Sequence, residues 1–196
     1  MTASIILVEH PAEHALFDGA LTCEVVLPAR FDAGARVLMQ APSEALLKGL
    51  AVAEDVRGED PDDRKEATPT QQRIEAKLDL VLSLLGRLAR SQHETLPATP
   101  LRWSHRGLRL DVVSPQELAV GVAGVVTVQP ATWLSDHIEL PATLLAQAEG
   151  SQGMQHLWLQ FDTLGAGLAE AMDRHLFRLH RRQIAEARQS QHAARP

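Results

Sequence analysis

Apolar residues recur between Pro69 and Ser91 in steps of four and three: Ile74, Leu78, Val81, Leu85 and Leu88. That alternation keeps one seam aligned along a gently supercoiled helix, and every seam position in the stretch is apolar. The helix has a defined start, because Thr68-Pro69-Thr70-Gln71 has the form of a capping box with proline at the first helical position. Running to about Ser91, it would be roughly 35 Å long. Leu78 and Leu85 take the a positions and Ile74, Val81 and Leu88 the d positions, a distribution that disfavours parallel dimers and prefers trimers or tetramers. Leu82 and Leu84 fall at e and g and widen the apolar face, which points to four helices. The pattern predicts an intermolecular coiled coil that makes the chain a homotetramer. The competing arrangement packs the same helix on its own domain.

Elsewhere the apolar runs are shorter. LTCEVVL at Leu21–Leu27 reads as a strand closed by Pro28, and RVLM at Arg36–Met39 as another. Ser43 is placed to cap a helix in which Leu46, Leu47 and Leu50 share one face. Residues 54–66, EDVRGEDPDDRKE, are mostly charged and predict a mobile acidic loop, since they cannot bury enough apolar surface to offset ordering. From residue 101 onward LRWS, GLRLDVV, VAGVVTVQPATW, HIELPATLLAQ and MQHLWLQF follow as short runs broken by turn residues, the pattern of a small antiparallel barrel or sandwich. Pro130 and Pro141 mark strand ends or edges. From about Leu164 a helical period returns, with Leu168, Met172, Leu176 and Leu179 on a face that covers the barrel or joins the bundle, flanked by Phe177 and Ile184. The chain thus divides into a strand and helix segment at 1–67, the heptad helix at 68–92, a barrel at 98–163 and a C-terminal helix at 164–190. The fold class is α+β.

Composition narrows the function. With 196 residues and 45% hydrophobic content the chain can bury a real core. A net charge of −6 argues against a general nucleic-acid binder, and an aromatic content of 4% without tyrosine leaves little to stack on bases. Cys23 is the sole cysteine, so no internal disulfide forms and a reduced, cytosolic thiol is expected. The opening MTASIILVEHPAEH has no basic leader, and its apolar run falls short of the roughly 18 residues of a membrane span. A cytoplasmic protein without membrane insertion is the expectation.

The order of parts carries a resemblance: an IEAKLDLVLSLLGRL helix, strands opening with LRWSHRGLRL, and a terminal helix bearing HLFRLHRRQIAEAR. Over roughly residues 69–190 the chain resembles an atypical PilZ-domain protein of gammaproteobacteria. The resemblance implies a small PilZ-like β-barrel and a place in cyclic di-GMP signalling, in type IV pilus motility or virulence control. PilZ domains that bind the nucleotide use an RxxxR segment before the barrel and a (D/N)xSxxG motif on an early strand, with arginines clamping phosphate and stacking on guanine. Here the second motif stands as Arg102-Trp103-Ser104-His105-Arg106-Gly107: Ser104 and Gly107 match, but Arg102 replaces the hydrogen-bond acceptor. No RxxxR precedes it; Arg30 and Arg36 are six apart, and Arg87 and Arg90 sit on the seam helix at the wrong spacing. The implied protein is a non-catalytic regulatory adaptor that does not itself bind cyclic di-GMP, and Ser104–Gly107 is a hairpin turn. The alternative is a receptor drawing on Arg102, Arg106 or the basic terminal helix.

Other chemistry finds little support. Ser104 and His105 are strand neighbours that point to opposite faces. His10 and His14 have helical ligand spacing, but Pro11 lies between them and no third ligand is evident. Asp60, Asp62 and Asp63 lack the glycine turn and distal glutamate of a calcium hand. No metal, no cofactor and no catalytic group is therefore expected. On the terminal helix Arg174, Arg178, Arg181 and Arg182, with His175 and His180, form a basic cluster that offers a surface to an acidic partner such as an unidentified signalling protein, a nucleotide or a membrane surface; long basic stems can equally cover apolar barrel surface.

Overall fold

The computed structural model describes residues 10–34, 36–58, 96–113, 116–150 and 153–193. The heptad helix with its seven seam and flanking residues lies outside them, as do the Thr68 cap and the acidic stretch beyond Gly58. Chain order is α1 (Pro11–Phe17), β1 (Cys23–Ala33), α2 (Ala41–Gly58), β2 (Ala98–Trp103), β3 (Gly107–Val112), β4 (Ala123–Val128), β5 (Ile138–Glu149), β6 (Gln155–Phe161) and α3 (Ala166–Ala193). The strands close into an antiparallel barrel in the order β1-β2-β3-β6-β5-β4. Alternate residues point inward, so Leu101, Trp103, Leu108, Leu110, Leu157 and Leu159 meet at its centre with Leu140 and Leu144.

The barrel begins well before residue 98. Its first strand comes from the N-terminal third, and LTCEVVL does not stop at Pro28 but runs through it to Ala33. Pro28 is the point of handover: Cys23–Pro28 pair with β2, and Ala29–Ala33 pair with β4. Proline has no N–H for a ladder, so it is best tolerated where the strand changes partners. Without β1, strands β2 and β4 would be bare edges; with it the sheet closes. Gly124 lets β4 approach here, since a Cβ would lie 2.4 Å from the Asp32 carbonyl oxygen.

Closure also explains why Arg36–Met39 is not a strand. The barrel offers it no edge, and Val37 is fully exposed. Helix α2 starts at Ala41, so Ser43 sits inside its first turn and not at its cap. The Ser43 hydroxyl instead ties α2 to β5, accepting from the Glu139 N–H at 2.9 Å. The helix also continues to Gly58, through residues whose charge predicted a loop. Glu54 accounts for part of that order: it takes Arg178 Nε at 2.9 Å and Arg182 Nη2 at 2.6 Å, pinning α2 to α3. Pro141 lies within β5, ahead of Ala142, where pairing to β6 begins.

Helix α3 completes the core. Leu168, Met172, Leu176 and Leu179 bury against the barrel residues as the period predicted, together with Leu47 of α2. Phe177 and Ile184 stay exposed. At the joint, the Cys23 thiol donates to the Leu176 carbonyl oxygen at 3.2 Å, and burial pushes its pKa up to about 11, beyond useful nucleophilicity. His175 is fully buried beside Trp103, ring centroids 5.7 Å apart, and neither ring nitrogen has a partner among the described residues.

Burial holds the His175 imidazole down to about 4; Glu54 opposes that shift, while Arg178 and Arg182 add to it. The fold therefore favours the neutral ring. Between 6.5 and about 4 the unfolded chain binds a proton that the folded chain refuses, so stability falls on acidification through that window. Urea unfolding of the native chain should lose about 2 kcal/mol more between about pH 7.5 and about pH 5 than the His175→Leu variant loses. Equal losses in both chains would remove His175 as the source.

Candidate functional site

The segment Arg102–Gly107 forms the connection between β2 and β3, and the expected hairpin turn is present: the Ser104 N–H donates to the Gly107 carbonyl oxygen at 2.9 Å. Every functional residue of the segment faces α1. The Ser104 hydroxyl donates to the Leu16 carbonyl oxygen at 2.8 Å and accepts from the Arg106 N–H at 3.1 Å. Arg106 Nη1 donates to the carbonyls of Asp18 at 3.0 Å and Ala15 at 3.4 Å, orphan acceptors at the helix C-terminus. Gly107 leaves room for β6 and for α1 together: a Cβ there would meet the Leu159 carbonyl oxygen at 2.2 Å and the Leu16 side chain at 3.0 Å.

The centre of the site is a row across the outside of the sheet. Register places Glu24 beside Arg102, Arg102 beside Arg109, and Arg109 beside Trp158 on four adjoining strands. Two arginines side by side repel unless an anion is shared between them. Glu13 of α1 is that anion. Its Oε1 accepts from Arg102 Nη1 at 2.8 Å and Arg109 Nη1 at 2.9 Å, and its Oε2 accepts from Trp158 Nε1 at 2.5 Å. Glu13 is 5% exposed and Arg109 fully buried, so these charges are bound to each other and not to water.

Asp111 balances the remainder. It receives Arg109 Nε at 2.9 Å and, on its other oxygen, Arg109 Nη2 at 3.4 Å, as a fork. His156, its cross-strand neighbour, lies 2.6 Å from the same carboxylate through Nδ1. An ionised carboxylate only accepts, so Nδ1 carries the proton. Around this polar centre α1 adds apolar contacts. Ala12, Leu16 and Phe17 pack with Trp158, the Arg102 guanidinium lies 4.7 Å over the Phe17 ring, and His10 stacks on Trp158 at 4.5 Å.

Residues 47–189 match a family model described as "Atypical PilZ domain, cyclic di-GMP receptor". The chain belongs to this atypical PilZ family. A solved Xanthomonas campestris protein is 45% identical with a TM-score of 0.75, covering 89% of this chain and 95% of its own; it is described as a new tetrameric PilZ domain self-assembled via a helical bundle. The PilZ domain of YcgR from Escherichia coli with cyclic di-GMP is 18% identical, with a TM-score of 0.37 over 45% of this chain and 76% of its own. MotI of Bacillus subtilis is 17% identical, also at 0.37, over 45% of this chain and 43% of its own. No curated protein sequence matches.

An arginine, Arg102, holds the PilZ motif's acidic or amide position, and its partner here is Glu13 of α1. Of the residues singled out from the sequence, Arg102, Ser104, Arg106 and Gly107 come together, but as a clasp on α1. The terminal-helix arginines divide among partners: Arg178 and Arg182 are taken by Glu54, Arg174 pairs with Glu170 on its own helix, and Arg181 lies over Phe177, while Arg174, Arg178 and Arg181 still line one surface hollow. His10 and His14 do not converge. His10 Nδ1 accepts the Ala12 N–H at 3.1 Å, and His14 pairs with Asp18. No cluster of three metal-ligating side chains occurs among the described residues, and no helix among them is long and apolar enough to cross a membrane.

Glu13, Arg109, Asp111, His156 and Trp158 were not legible as a site. Arg109 and Asp111 alternate with Leu108 and Leu110, and Trp158 lies between Leu157 and Leu159, so strand periodicity alone turns all three to solvent. A buried tryptophan opposite an arginine needed the register to be seen. Gly107→Ala should cost about 3 kcal/mol, because strand β6 backbone and not a flexible side chain blocks the methyl group. A thermal melt within about 1 °C of the native chain, a change of only a few tenths of a kcal/mol, would show that the strands separate easily.

Proposed function

We propose that this chain is a non-catalytic PilZ regulatory adaptor in cyclic di-GMP signalling, which works through protein contacts and does not bind the nucleotide. One observation carries the reading: the residues left of the nucleotide motif are spent on the chain's own helix α1, with Arg102 on Glu13, Ser104 on Leu16 and Arg106 on Ala15 and Asp18. No RxxxR segment precedes the barrel to supply the missing clamp. The heptad seam from Ile74 to Leu88 supplies the assembly, a homotetramer, and the Xanthomonas relative's description as a tetrameric PilZ domain formed by a helical bundle supports that state. The adaptor acts in the cytoplasm and offers four barrels to signalling partners, in motility or virulence control.

Sedimentation should give four times the 21.4 kDa chain mass. Leu78→Asp with Leu85→Asp should leave a monomer whose barrel keeps its circular dichroism. A monomeric native chain at micromolar concentration overturns the assembly. Calorimetry with cyclic di-GMP should show no binding in the range below about 10 μM, or about −7 kcal/mol. The family's description as a cyclic di-GMP receptor supports a second reading, in which Arg102 or Arg106 holds the nucleotide. Low-micromolar binding that Arg102→Ala or Arg106→Ala abolishes would establish that reading in place of the first.

A further inference from the structure

We propose that α1 is a detachable latch, and that the seat it leaves on the barrel is a docking site for an acidic helical segment of a partner protein. The seat is built from barrel residues alone. Arg102 and Arg109 converge on one carboxylate oxygen and Trp158 Nε1 on the other, at 2.8, 2.9 and 2.5 Å. Ser104 and Arg106 supply donors for the carbonyls at the end of a docked helix. All of these remain in place when α1 leaves.

What occupies the seat defines what else can. Glu13, Leu16 and Phe17 are spaced i, i+3 and i+4, so they share one helical face, and they are buried to 5%, 1% and 4% exposure. The two apolar side chains pack with Trp158 beside Leu145, Ala146 and Ala148. A carboxylate followed by two large apolar residues at that spacing is a peptide signature, and helix-in-groove docking reads such anchors. A nucleotide phosphate would satisfy the guanidiniums but not the apolar half.

Among the described residues, the latch is held by its seat and by little else. Seven residues are too few to remain helical unaided. A short joint, 18–22, with Gly19 at φ +66, connects it to β1. Opening exposes Arg102, Arg109 and Trp158 to water, which solvates them, so α1 can leave without unfolding the barrel. In the closed state Glu13 competes with any partner at the high effective concentration of a short tether.

The inference deepens the adaptor reading by giving its partner a chemistry, but its test uses no cyclic di-GMP as ligand, so the two can fail separately. The probe is a labelled peptide of the α1 sequence, HPAEHALFD, titrated by anisotropy into the full-length chain. Glu13→Arg in the chain should release the latch by repulsion and tighten peptide binding about tenfold or more over the native chain. The same peptide with glutamine for its glutamate should bind that variant about tenfold more weakly. Equal binding to both chains, or binding to neither, overturns the proposal.

Leu16→Asp opens the latch from its apolar side and is read in the same way if Glu13→Arg disturbs the barrel's circular dichroism. In the native chain, amide hydrogens of α1 should exchange about a hundredfold faster than those of β3 and β6. Equal protection, with α1 opening only on global unfolding, overturns the latch whatever the variants do.

Discussion

Arg102 and Arg109 stand opposite each other on adjoining strands, and the outer face of this barrel is arranged around their need for a shared anion. Like charges in a cross-strand pair are unfavourable, and Arg109 is fully buried, so water cannot relieve them. Glu13 enters from α1, Asp111 from the next position but one on β3, and His156 from β6 to hold Asp111 in turn. The position of α1, the burial of Trp158 and the hydrogen bonds of Ser104 and Arg106 all follow from bringing Glu13 to that point. An isolated seven-residue segment would otherwise have no reason to be helical.

That arrangement gives the remnant of the PilZ motif a different use. In nucleotide-binding PilZ domains the motif presents an acceptor and the upstream segment presents arginines. Here Arg102 takes the acceptor position and binds Glu13 of the chain's own helix α1. Ser104 and Gly107 keep roles that do not depend on a nucleotide: the serine closes the turn and caps α1, and the glycine admits β6 against β3. The side chains of this turn thus hold the chain's own helix.

A second ionic joint, with a different character, ties α2 to α3. Glu54 of α2 binds Arg178 and Arg182 of α3, and this clamp lies beside the buried His175, whose ring nitrogens have no hydrogen-bond partner among the described residues. The fold tolerates that imidazole only while it is neutral, which makes the α3 joint acid-sensitive. The arginines of α3 that looked from the sequence like a partner surface are in part internal struts. Their long stems and forked donors suit that task, and sequence spacing does not reveal which helical face meets another element.

What the sequence determined by itself was whatever depends on local periodicity. The heptad seam, the short strands after residue 101, the apolar face of α3 and the turn at Ser104–Gly107 are all patterns of neighbours; they left an antiparallel barrel and a sandwich both open, and the PilZ-like barrel was what the family resemblance implied. The tertiary structure alone decided which strand closes the barrel and which residues on its outer face are buried. β1 could not be assigned to the barrel because its partners, β2 and β4, lie some seventy and a hundred positions away in the chain. Arg109, Asp111 and Trp158 read as solvent-facing because period-two alternation assigns a side and not a cover. The cover is α1, whose seven residues carry almost no signal of their own and acquire a structure only from the two arginines they neutralise.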